Sequence, residues 1–153
     1  MPLQLGIFIV PIGTFFIGIT FILRDLVQEQ IGRKKTYWVI AIALTISMIS
    51  SFILGDMYWI VLASGASFLL SETTDTEIYT RLKLPLAYRV LYSGIVGGII
   101  DSSVFVVLGL SPIGIGALPW EAVPMAILGQ IIVKTLLQLM GASVIMYVHK
   151  RRK

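Results

Sequence analysis

The sequence predicts an all-α, polytopic membrane bundle of about five transmembrane helices. Three observations lead there. The chain is 57% hydrophobic but only 13% charged, with mean hydropathy +0.92, whereas soluble domains carry about 25% charge. Its apolar runs approach the roughly 20 residues that a helix needs to cross hydrocarbon. Basic residues fall in clusters between alternate runs. At 153 residues the whole chain, 1–153, reads as one membrane domain. With no cysteine, disulfides and thiolate metal sites are excluded.

Span 1 is expected from near Leu5 to Ile31, apolar as far as Leu23. MPLQLGIF has no basic n-region, and no A-x-A site follows, so this segment reads as a retained span. Its end, RDLVQEQIGRKK, puts Asp25, Gln28 and Glu29 on one helical face. Span 2 is expected over 37–54 and ends at the turn Gly55-Asp56. Span 3, over 57–78, begins with small and apolar residues and then turns acidic in SETTDTE. Its apolar part, Met57 to Leu70, is only 14 residues. Glu72 and Asp75 are therefore expected inside the bundle, since such residues are costly against lipid. Span 4 is expected over 88–110. The Pro- and Gly-rich SPIGIGALPWEAVP cannot continue it as one helix. Span 5 is expected over 123–148, followed by the basic HKRRK.

Eleven of the twelve Lys and Arg, Arg24 among them, cluster around the junctions of spans 1 with 2 and 3 with 4 and beyond span 5. By the positive-inside rule this side is cytoplasmic, with the N-terminus outside and the C-terminus inside. The positive charge thus belongs to the membrane surface, and nucleic acid is not an expected partner. The remaining basic residue is Lys134, midway along span 5.

Lys134 has a counterpart. Asp101 lies ten residues before the outer loop at Ser111, and Lys134 eleven residues after span 5 begins. Both depths are about 15 Å, so the two charges are expected to meet near the midplane. Each alone would cost about 2.5–3.5 kcal/mol or more there. Gln130, Lys134 and Gln138 form one stripe on span 5; Ser93, Gly97 and Asp101, with Ser102 beside them, form another on span 4. The facing stripes admit two readings: the lining of a polar ligand site, or ion pairing and interhelical hydrogen bonding that fix register. Gly94-x-x-x-Gly98 predicts close helix packing. No nucleophile triad, phosphate loop or dinucleotide fingerprint occurs, so neither an enzyme nor a cofactor is expected. The open classes are a transporter, a binding subunit that needs a separate energising complex, and a pore-forming protein.

RDLVQEQIGRKK, ASGASFLLSETTDTEIYTRLK, YRVLYSGIVGGIIDSSVFVVL and ILGQIIVKTLLQ together resemble the queuosine precursor transporters, also called the vitamin uptake transporter family. The resemblance implies import of a 7-deazaguanine base such as 7-cyano-7-deazaguanine across the inner membrane. It also implies that Asp25, Glu29, Glu72, Asp75, Asp101, Gln130 and Lys134 form the polar intramembrane set, with Ser102 adjoining it. The expected partners are a nucleobase-like small molecule and membrane lipid. Longer members have about six spans. The shorter chain leaves open a homo-oligomer or an altered substrate.

Overall fold

The computed structural model describes residues 2–5, 8–11 and 23–151. Helical residues 23–31 form the described part of α1. It is followed by α2 (Arg33–Leu54), α3 (Tyr58–Arg81), α4 (Leu86–Phe105) and α5 (Val123–Arg151). Of the region expected as span 1, residues 6–7 and 12–22 lie outside the described residues.

The expected start of span 1 differs from the structure. Pro2–Leu5 (β1) and Phe8–Pro11 (β2) form an antiparallel strand pair with Pro2 opposite Pro11 and Leu5 opposite Phe8. Short apolar runs do not distinguish helix from strand by periodicity. Here Ile9 and Val10 favour the extended form, and the two prolines sit at strand ends, where a missing N–H matters least. β2 lies alongside α5.

The helices end where their sequences dictate. Gly32 adopts φ 77° and separates α1 from α2. Gly55, at φ 80°, closes α2: its N–H reaches Phe52 O, and Asp56 N–H reaches Ser51 O at 3.0 Å. This left-handed closure suits glycine, which lacks a Cβ to clash. Pro85 precedes α4. At its far end α4 widens into a π-helical turn, Val106–Leu110. Residues 111–122 then run as turns with no regular helix, in keeping with their Pro and Gly content. Trp59 Nε1 donates to Leu108 O at 2.7 Å, tying the start of α3 to the π-turn.

α2 packs on α3, α3 on α4, and α4 on α5. Among the described residues, three segments are long and apolar enough to cross a membrane: Arg33–Leu54, Leu86–Leu110 and Val123–Val148. α3, with 24 residues, matches them in length but carries acidic residues in its second half. The bundle is inverted relative to a soluble protein. Trp38, Ile42, Ile46 and Phe52 of α2, and Leu136 and Met140 of α5, face outward. Lys134, Gln138, Glu72, Asp25 and Asp75 are among the largest fully buried side chains. Lipid solvates the apolar exterior, so the polar groups must satisfy one another inside.

Candidate functional site

The first polar centre joins α1 to α3. Asp25 and Asp75 are completely buried and Glu72 is 1% exposed. Arg24 lies among them. Its Nη2 is 2.6 Å from Asp25 Oδ1 and also pairs with Asp75 Oδ2. Its Nη1 donates to Thr76 Oγ1 at 2.7 Å. Its Nε is 3.1 Å from Glu72 Oε2 without closing a hydrogen bond. One turn along α1, Gln28 Nε2 donates to Thr80 Oγ1 at 3.2 Å.

The burial of Arg24 corrects the sequence reading, which placed it with the cytoplasmic basic residues. The residue is 8% exposed. Three buried carboxylates require a counter-charge, and a planar guanidinium can serve several at once. Glu72 and Asp75 are buried inside the bundle, where the short apolar part of span 3 places them.

The second centre joins α4 to α5 as the depth argument expects. Lys134 Nζ donates to Asp101 Oδ2 at 2.5 Å and to Ser102 Oγ at 2.9 Å. Lys134 is 1% exposed and Asp101 7%. The two centres are neighbours along α4, where Gly97 abuts Asp75 and Gly98 abuts Lys134.

Glycines of α4 seat these polar side chains. A Cβ on Gly97 would lie 3.2 Å from Asp75 Cβ, and one on Gly98 would lie 3.6 Å from Lys134. A Cβ on Gly94 would meet Gln138 Nε2 at 2.3 Å. The GIVGG segment therefore lets α3 and α5 insert polar groups from two sides.

Several buried polar atoms have no hydrogen-bond partner: Gln130 Nε2, and Gln138 Nε2 and Oε1. An unpaired buried polar group is expensive, so each calls for a ligand or a change of state. Gln138, fully buried, belongs to the predicted stripe on span 5. Its unmet amide is visible only once α4 and α5 are packed.

Glu29 stands apart from both centres. It accepts from Tyr79 Oη at 2.7 Å and pairs with Arg89 at 2.9 Å, with its side chain 43% exposed. Arg89 lies over the Tyr79 ring, 4.6 Å from its centroid. Glu29 and Arg89 line a pocket of about 520 Å³ with Ala87, Met146 and Lys150. At the same end Glu77 accepts from Arg33 and Tyr37, both at 2.5 Å.

The family profile described as "Putative vitamin uptake transporter" matches residues 51–148. The match takes in Glu72, Asp75, Asp101, Gln130 and Lys134, and begins after Asp25 and Glu29. Comparison with curated proteins and with solved structures finds no match. The profile spans more than half of the chain, and the apolar helices with their buried charges are those of a membrane protein; the chain belongs to the vitamin uptake transporter family.

Proposed function

We propose that the protein imports a queuosine precursor, a 7-deazaguanine base such as 7-cyano-7-deazaguanine, across the inner membrane into the cytoplasm. The observation that carries this reading is the pair of unpaired buried amides on α5. Gln130 Nε2 and both amide atoms of Gln138 lack partners, beside the Asp101–Lys134 pair that joins α5 to α4. A guanine-like edge offers a ring N–H and an amino group side by side, next to a carbonyl oxygen. Carboxylates accept the first two and amides donate to the third. Asp101 and Glu72 would accept from the base, Gln130 and Gln138 would donate, and Lys134 would balance Asp101. Gln138 extends the set expected from sequence.

Entry of a flat ring between α4 and α5 requires the Gln138 amide to leave its seat against Gly94. The same movement would expose Asp101 and Lys134. A binding position near mid-membrane that opens by helix separation suits alternating access.

The test is rescue of a strain that cannot make the precursor, supplied with the external base. Wild-type protein should restore queuosine in tRNA. Asp101→Asn and Lys134→Ala should each abolish that rescue. Full rescue by either variant, at normal membrane abundance, would sink the site assignment.

A further inference from the structure

The Arg24 centre is unbalanced. One guanidinium faces three carboxylates, Asp25, Glu72 and Asp75. Fully ionised, the group would hold an excess of negative charge in an enclosed volume, which the loss of hydration makes unfavourable. Arg24 engages only one oxygen of each aspartate. Asp25 Oδ2 and Asp75 Oδ1 have no hydrogen-bond partner. A third helix reaches the same place: Ser93 of α4 is completely buried with its hydroxyl beside Asp75.

The surrounding charges do not restore the balance. On α4, the charge of Asp101 is matched by Lys134 of α5. Arg89 of α4 is committed to Glu29, which also holds the Tyr79 hydroxyl of α3. Glu77 of α3 takes Arg33 and Tyr37 of α2, with Arg81 one turn on. Gln28 and Thr76 bring no charge. Among the described residues, no other cation reaches the three carboxylates.

The missing positive charge must therefore come from something small. The guanidinium already occupies the point where the carboxylates converge. Among the described residues no three carboxylates, imidazoles or thiolates are spaced to hold a metal ion. A proton needs no cage. Bound at Asp75 Oδ1, it would remove one charge beside the Ser93 hydroxyl. Bound at Asp25 Oδ2, it would neutralise the α1 carboxylate. A cavity of about 210 Å³, lined by Arg24 and Glu72 with Leu23, Val27, Ile40 and Phe68, reaches the cluster between α1, α2 and α3.

We propose that Asp25, Glu72 and Asp75 around Arg24 form a proton-binding site that couples proton entry to solute import. The inference rests on the transporter reading and adds its driving ion. The step is acid–base only: a carboxylate oxygen takes a proton in the outward-open state and releases it to the cytoplasmic side. Loading the site relieves the excess negative charge and lets α1 and α3 close on each other, so the proton favours one conformation over the other.

Infrared difference spectroscopy of the purified full chain tests the site without any substrate. Wild-type protein should show a protonated-carboxyl C=O band at neutral pH that disappears as the pH is raised. The band should not change when sodium replaces potassium. The isosteric variants Asp25→Asn, Glu72→Gln and Asp75→Asn should locate it, with at least one removing it. Absence of the band, persistence in all three variants, or its loss on adding sodium would overturn the proposal. In proteoliposomes, accumulation of 7-cyano-7-deazaguanine should follow an acid-outside pH gradient and stop with a protonophore. Accumulation driven by a sodium gradient alone would also overturn it. If the base does not move under any gradient, the proposed substrate fails, and the infrared result still decides the proton site.

Discussion

Arg24 determines how three acidic side chains can share one buried volume. Its partners on α3 lie 48 to 52 residues away in sequence. This distance is why the residue reads as a surface cation in RDLVQEQIGRKK: nothing local marks it as buried. Replacing it by a neutral polar residue removes the charge together with most of the five N–H donors of the guanidinium. Arg24→Gln should destabilise the protein by about 3–5 kcal/mol, the usual cost of removing one partner from a buried ion pair. The deficit should shrink as pH falls, because protons neutralise carboxylates that the arginine no longer balances, and should grow as pH rises. Thermal unfolding in detergent across a pH series measures both. An equal deficit at every pH would mean that Arg24 acts through packing alone.

At the level of elements, α4 organises the molecule because its glycines accept polar side chains from both neighbours. The spacing Gly94-x-x-x-Gly98 made close packing legible in the sequence, and equal depth in antiparallel spans made the Asp101–Lys134 contact legible too. Both follow from helix geometry alone. The seat of Gln138 against Gly94 was not legible, because it depends on how far α5 rotates toward α4. Neither was the β1–β2 pair, since Phe8-Ile9-Val10 suits helix and strand alike in an apolar setting. The Gly94 contact has a direct consequence. Gly94→Ala would put a methyl group 2.3 Å from Gln138 Nε2, far inside normal contact, and overpacking of this kind costs about 1–3 kcal/mol. Thermal stability should fall in Gly94→Ala and recover in Gly94→Ala/Gln138→Ala, where the added methyl meets space. Losses that simply add in the double variant would show that the glycine matters for backbone reasons and not as a seat for the amide.

Over the whole molecule, charge and topology make one prediction about orientation. Successive helices from α2 to α5 pack as neighbours, so the Gly55–Asp56 turn and the 111–122 segment share one end, while the 82–85 connection lies at the other. The burial of Arg24 removes one residue from the positive-inside count. Arg33, Lys34, Lys35, Arg81, Lys83 and Arg89 still stand at one end, and bias of this size in short loops sets topology. That end should be cytoplasmic. The chain has no cysteine, so single labels can be introduced without a cysteine-free background. Asp56 and Lys83 are both exposed, in loops flanking α3. A membrane-impermeant maleimide added to intact spheroplasts should label Asp56→Cys and spare Lys83→Cys; inside-out vesicles should reverse the pattern. Labelling of Lys83→Cys from outside would invert the bundle. It would then place the 520 Å³ pocket lined by Glu29, Arg89 and Lys150 at the outer face, as an entrance for solute instead of an exit.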